Sequence, residues 1–406
     1  MRTVVTNANV LDTGSMSFVG DRTVTIEDGR ITSVDDARPT TGDVVIDARG
    51  AYVVPGLIDA HVHFRLATLD FRSLTQFSEV EFGIRMGTLA RDTLARGFTT
   101  VRDLGGDVSG LIRAISTGAT AGPRIVRAGL MLTQTGGHGD ADSSHRAVPD
   151  CACQMRHTSF GLVADGVDAV RKGARHLLRD GSDFLKVHVS GGVASPSDPI
   201  DSIQYTPEEI RAAVVEAEHR NTYVAAHAYL PAAIRQAVEA GVHSIEHANL
   251  VDRETAELMK AHGTVMVPTL VTYEGMDRFG RENRFPEANL RKNKQILEAG
   301  LASLEIAVGA GVTMGLGTDL IGESQRMQNE ELVIRSRVQP AVDVLRSMWQ
   351  VNPRLCRLEG QVGTITPGAF GDLVISSVNP LEDLAGFADH TTSFTHILKG
   401  GEVVRS

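Results

Sequence analysis

Cysteine is scarce, with three in 406 residues, Cys151, Cys153 and Cys356. That is too few for a disulfide framework, and the CxC spacing is not the CxxC of common zinc sites. Free thiols in a reducing cytoplasm are expected. Aromatics are sparse as well, 5% of residues with a single tryptophan, Trp349, which leaves little material for base-stacking platforms or membrane aromatic belts. No apolar run reaches membrane-spanning length. The opening Met1-Arg2-Thr3-Val4-Val5 shows neither the apolar core of a signal peptide nor an arginine-rich presequence. Positive charge is also short: 40 Lys and Arg stand against 50 Asp and Glu, a formal net charge of −10. Such a surface repels phosphate backbones and anionic lipid, so neither nucleic acid nor membrane is expected as a partner.

What is present is ordinary for a soluble globular chain, 42% hydrophobic and 22% charged, and the length suits one large domain with a small companion. Residues 1–55 read as short strands and turns. Thr23-Val24-Thr25-Ile26 alternates and runs into Glu27-Asp28-Gly29-Arg30, a hairpin signal, and Val44-Val45-Ile46-Asp47 repeats the theme. Residues 363–406 look alike, with a strand at Asp372-Leu373-Val374-Ile375 and a hairpin over His396–Val404. Both ends together predict one small discontinuous β-sandwich. Between them, residues 56–362 alternate apolar runs (56–61, 98–102, 124–128, 184–188, 223–227, 242–247, 265–268 and 312–317) with glycine-rich turns and alanine-rich helices. Thr206-Pro207-Glu208-Glu209 is a capping box with Pro at the first helical position, and Leu230-Pro231 opens the next helix. The expected fold is therefore α/β, a (β/α)8 TIM barrel carrying a β-sandwich made from both termini.

The chemistry-bearing residues fall at the ends of these runs. In His61-Val62-His63, residues two apart on a strand point the same way, so two imidazoles face one point at the barrel mouth. Alone, the pair reads equally as packed or surface histidines. His227 ends run five, His247 ends run six and Asp319 follows run eight. Imidazoles and a carboxylate converging from several strands suit zinc, with manganese, cobalt or iron as substitutes. Lys186 sits among Phe184, Leu185, Val187 and Val189. Burial lowers an ammonium pKa, and a neutral amine adds carbon dioxide to give a carbamate, an anionic ligand able to bridge two metals. The competing reading is a lysine paired with a carboxylate.

The set Pro55–His63, Lys186, His227, Ser244–His247 and Gly317-Thr318-Asp319, with the terminal Thr366–Val374, resembles the amidohydrolase superfamily in its binuclear, carboxylated-lysine form. Gly136-Gly137-His138-Gly139-Asp140, Gly191–Ser195 and His227-Ala228-Tyr229 are similar to the imidazolonepropionase-like branch of Xaa-Pro dipeptidases and carboxypeptidases. The resemblance implies two divalent ions, His61, His63 and Asp319 on the more buried one, His227 and His247 on the other, and carboxylated Lys186 between them. It implies a hydrolase that cleaves dipeptides, Xaa-Pro first, or other N-acyl amino acids by metal-activated hydroxide. Asp319 would carry the proton to the leaving nitrogen, His138 would donate to the oxyanion, and Tyr229 would hold a substrate carboxylate. A deaminase or cyclic-amide hydrolase of the same superfamily is the alternative, and a non-catalytic assembly protein a third reading. A symmetric homo-oligomer is expected. The stretch 130–163, with Asp142, His145, Arg146, Arg156 and His157, reads as a long specificity loop. His188 shares the Lys186 face as a supporting residue, while Glu246, next to His247, is expected to point to the opposite face in a structural role.

Overall fold

The computed structural model describes residues 2–35, 38–74, 76–140, 160–195 and 198–406. Cys151, Cys153, Asp142, His145, Arg146, Arg156 and His157 lie outside them; Cys356 is a buried free thiol. The chain opens with five strands, β1 (Arg2–Asp12), β2 (Ser17–Glu27), β3 (Arg30–Asp35), β4 (Val44–Asp47) and β5 (Tyr52–Pro55). Nine follow in the middle: β6 (Leu57–Val62), β7 (Phe98–Asp103), β8 (Arg124–Arg127), β9 (Met131–Thr133), β10 (Gly161–Val163), β11 (Leu185–His188), β12 (Val224–Ala228), β13 (Ser244–His247) and β14 (Val265–Val267). Three close the chain, β15 (Leu373–Ser376), β16 (Phe394–Lys399) and β17 (Glu402–Arg405).

The terminal strands form one eight-stranded sheet in the order β17-β16-β15-β5-β1-β2-β3, with β4 on β1. The sandwich expected from the sequence is thus a single, mostly antiparallel sheet. Strands β5 and β15 join the two ends of the chain, pairing from Leu373–Pro55 to Ser376–Tyr52. The β2–β3 hairpin turns as expected: Asp28 and Gly29 both take positive φ, 48° and 82°, as a two-residue turn matching strand twist requires.

The middle strands are parallel, in a three-stranded sheet β6-β7-β8 and a six-stranded sheet β10-β9-β11-β12-β13-β14. Every residue of β6, β7, β11, β12 and β13 is buried, because helices cover their outer side and other strand residues fill the inner one. Those helices include Glu79–Ala95, Val167–Arg179, Pro207–His219, Pro231–Glu239 and Arg253–His262. The Thr206–Glu209 capping box forms, with both reciprocal bonds in place.

Two expectations change here. The stretch 130–163 is not loop throughout, since its ends are β9 and β10, paired in register from Met131–Gly161 to Thr133–Val163. The eighth run, 312–317, makes only an isolated bridge, Met314 to Met266. It still lies between β14 and β6, through Gly315 N to Met266 O at 2.8 Å and Ala60 N to Leu316 O at 2.8 Å. The Asn352 side chain meets the Leu316 backbone N–H at 3.0 Å and its carbonyl at 2.8 Å, doing part of what a strand neighbour would do. Among the described residues, no helix is long and apolar enough to cross a membrane.

Candidate active site

Strand register brings the candidate residues together. His188 pairs with His227 across β11–β12, and Ala228 with His247 across β12–β13. Asp319 follows the 312–317 segment, its N–H bonded to His61 O at 2.7 Å. Gly317 is what lets that segment approach β6, because a Cβ there would stand 2.8 Å from His61 Cβ. His61, His63, Lys186, His227 and His247 are all buried, and Asp319 is only slightly exposed.

Each histidine has one ring nitrogen occupied. His61 Nδ1 donates to Glu246 Oε2 at 2.9 Å, His63 Nδ1 to Gly105 O at 3.3 Å, and His227 Nε2 to Gly191 O at 3.1 Å. His247 Nδ1 lies 2.8 Å from Thr269 Oγ1. The remaining nitrogens are left to face one another. His61 Nε2 and His63 Nε2 are 3.3 Å apart and stand 3.3 and 3.2 Å from Asp319 Oδ1. His61, His247 and Asp319 offer ligand atoms all within 4.8 Å of one another. Lone pairs and a carboxylate pressed together in a buried place repel unless a cation sits among them, so the donor set fits a divalent metal.

The electrostatics agree. Asp319 is held ionised well below the usual carboxylate range; burial opposes this, but the neighbouring His61 and its hydrogen bonds prevail. Burial likewise works against a charged His63, yet the bond to Asp319 raises its pKa. Burial pushes Lys186 down to about 8, against the pull of Glu246 and Asp319, so a reactive neutral amine is accessible near neutrality. Burial and the charges of His138 and Lys186 keep His227 neutral, as a ligand must be.

His138 stacks on His227, ring centroids 4.4 Å apart, and its Nδ1 donates to Asp198 Oδ2 at 3.2 Å. Gly192 makes room for it, because a Cβ there would fall 2.1 Å from the His138 ring. Tyr229 packs beside His227 and His247, at 4.8 and 5.5 Å. His188 is buried 5.1 Å from His138, on the Lys186 side as expected. His138, His188 and Tyr229, with His61, His63, Lys186, His227, His247 and Asp319, line one cavity of about 450 Å³, whose remaining wall is mainly apolar: Leu66, Phe71, Leu74, Met131, Phe160, Met276 and Ile321.

Glu246 corrects the expectation. Instead of turning away, it lies fully buried between His61 and Arg102 Nη2, 2.7 Å from the latter. Arg102, itself inaccessible to solvent, also donates to Ala60 O at 2.6 Å and to Ser244 Oγ at 3.2 Å. The Arg102 charge holds Glu246 ionised despite its burial. The sequence signal for Arg102 is close to the one used for Lys186: a cation in an apolar run, at its end for Arg102 and inside it for Lys186.

The sequence signature of the amidohydrolase family spans residues 52–404. Ochratoxinase of Aspergillus niger is 30% identical over 364 residues, 87% of this chain and 75% of that protein. A prolidase solved with N-methylphosphonate-L-proline superposes with a TM-score of 0.95 at 41% identity, over 100% of both chains. A Xaa-Pro dipeptidase with methionine in its active site superposes with a TM-score of 0.88 at 29% identity, again over 100% of both. The chain belongs to the amidohydrolase family and is a hydrolase acting on C–N bonds.

Proposed function

We propose that this hydrolase binds two divalent ions, zinc first, and cleaves the amide bond of a dipeptide, Xaa-Pro foremost, or of another N-acyl amino acid. The observation that carries the reading is the set of ring nitrogens turned toward Asp319 with Lys186 buried beside them. His61, His63 and Asp319 would hold one ion and His227 and His247 the other, with Lys186, as its carbamate, supplying a further anionic ligand. The likeness to a prolidase and a Xaa-Pro dipeptidase supports the substrate class.

Bound divalent ions supply Lewis acidity toward a water and toward the scissile carbonyl. The chain's own residues do the rest. Asp319, held ionised, accepts the proton of the attacking water on a carboxylate oxygen and returns it to the leaving nitrogen. His138, oriented by Asp198, donates to the developing oxyanion. Tyr229 donates its hydroxyl to the substrate carboxylate. The apolar wall around Leu66, Phe71, Met131 and Met276 excludes water and receives the acyl side.

The two parallel sheets and the 312–317 segment are read as one eight-fold barrel over residues 56–362, supported by the bonds of that segment to both β14 and β6. Residues 1–55 and 363–406 then form the second domain. Purified protein assayed against dipeptides and N-acyl amino acids, with metal content measured, tests the proposal. Amide cleavage with close to two ions per chain is expected. Deamination of a heterocycle without any amide cleavage overturns it.

A further inference from the structure

Asp59 and Thr318 stand in the Pro55–His63 and Gly317-Thr318-Asp319 motifs, yet neither has a part in the proposed chemistry. Both are buried, with exposures of 0% and 1%. Asp59 Oδ1 accepts the backbone N–H of His61 at 3.0 Å and that of Thr318 at 3.1 Å. Its Oδ2 accepts the Thr318 hydroxyl at 2.6 Å and the Gln328 amide Nε2 at 2.8 Å. The orientation of that amide is fixed from its other side, where Arg96 Nε, which can only donate, meets Gln328 Oε1 at 3.0 Å. One carboxylate thus ties β6 to the segment that carries Asp319.

Two features of that segment make the tie necessary. Residues 312–317 form no strand, only the bridge at Met314, so no ladder carries Asp319 into place. Asp319 itself sits at φ 52°, a left-handed conformation that is costly for a residue with a Cβ and persists only where its neighbours over-determine it. Here both of its peptide groups are held. The Asp319 N–H donates to His61 O at 2.7 Å, and Thr272 Oγ1 donates to the Asp319 carbonyl at 2.7 Å. Thr272 belongs to the helix Leu270–Phe279 and is inaccessible to solvent. We propose that Asp59, Thr318 and Thr272 are positioning residues: they clamp the strained backbone of Asp319 and so aim its carboxylate at His61 and His63. They do for the eighth run what ladder pairing does for the others. An asparagine cannot replace Asp59 in the clamp. Its amide nitrogen would face two backbone N–H groups in one orientation and the Gln328 amide nitrogen in the other.

The inference rests on the proposed part of Asp319 as ligand and proton carrier, and the variants separate the two. Thr318→Val keeps the shape of the side chain and removes one hydroxyl. For the best N-acyl amino acid of the panel it should lower kcat by roughly thirtyfold, with KM within about twofold of wild type. Zinc should leave the loaded T318V protein for a chelator about tenfold faster than it leaves wild type. Thr318→Ser, the conservative variant that keeps the hydroxyl, should recover both values to within about threefold. Asp59→Asn should lower kcat by about a hundredfold, and Thr272→Val should act in the same direction by less. The double variant T318V/D319N should release zinc no faster than D319N, because Thr318 acts through Asp319. Urea unfolding of each variant reports stability separately. A T318V protein that loses stability alone, with wild-type kcat and zinc release, overturns the clamp and leaves the part of Asp319 standing. So does a double variant showing the product of the two single effects on release. A D319N enzyme that turns over and holds zinc as wild type overturns the reading of Asp319 and the clamp with it.

Discussion

The terminal sheet and the inner ends of the parallel strands differ in what they bury. In the sheet the enclosed residues are almost all aliphatic: Val5, Val10, Val24, Ile26, Ile31, Val53, Ile375 and Leu398 pack as one cluster. In the parallel-strand core the strands that look as apolar carry Asp59, Arg102, Lys186 and Glu246, each at most 1% exposed. Hydrophobic burial without charge stabilises a fold directly. A buried charge contributes little net stability, because desolvation consumes most of the attraction to its partner. The core of the sheet therefore serves stability alone, whereas the inner ends of the parallel strands, set within their own apolar clusters, are shaped for chemistry.

The largest test of that division is Lys186→Ala. It removes a buried ammonium and fills no other role in packing, so the fold should survive while activity falls on the order of 10³-fold or more, with metal lost. Metal analysis and turnover of the same preparation check this. A K186A protein with two ions and full activity would remove the carbamate from the account.

Leu398→Ala attacks the opposite region. Leu398 is fully buried on β16, paired with Leu373 and Val403, and its truncation should cost about 2–5 kcal/mol of stability. Denaturant unfolding should register that loss, while kcat/KM per folded molecule stays at the wild-type value. A fall in kcat/KM of the folded fraction would mean that sheet and site are coupled more closely than their separate clusters suggest.

These contrasts also explain what the sequence disclosed. The alternation of runs and helices, the Asp28-Gly29 turn and the Thr206 capping box were legible because local spacing encodes them. His61, His63, His227, His247 and Asp319 were legible as polar residues at the ends of apolar runs and Lys186 as a cation inside one, and the structure gathers them around one cavity. Glu246 was misread for a physical reason. The rule of alternating faces assumes extended backbone, but His247 has φ 75° and Ala248 φ 56°, so the chain turns just where the rule was applied. Thr269 gave no local signal, since its partner His247 is 22 residues away. Strands β9 and β10 were missed because three residues are too few to show a period.

A smaller effect separates the two regions by pH. Glu331, in the helix Glu330–Arg335, is inaccessible to solvent, and burial pushes its pKa from 4.5 up to about 8. Below about pH 4.5 the group is protonated whether folded or unfolded, and stability is unaffected. Between about pH 4.5 and 8 the unfolded chain ionises while the folded one keeps its proton, so stability falls as pH rises through this window. Glu331→Gln keeps the neutral shape and removes the proton linkage. The variant should match wild type near pH 5 and exceed it by about 4 kcal/mol at pH 9, as followed by urea unfolding at both values. An equal offset at the two pH values would show that Glu331 is ionised in the folded protein.

The smallest effect concerns backbone strain. Asp28 in the sheet and Ala248 beside the site both adopt left-handed φ, 48° and 56°, a conformation that costs a residue bearing a Cβ about 1 kcal/mol relative to glycine. At Asp28 the conformation serves a turn. At Ala248 it follows His247, itself at φ 75°, and turns the imidazole from the strand direction toward Asp319. Asp28→Gly and Ala248→Gly should each change stability by less than about 1 kcal/mol, since released strain is offset by the entropy of the freer unfolded chain. Activity should separate them. The D28G enzyme should turn over as wild type, whereas A248G, with the His247 ring less tightly directed, should lose about two- to fivefold in kcat. Equal turnover in the two variants would place the strain at Ala248 in the same class as that at Asp28, a consequence of chain reversal with no part in holding the imidazole.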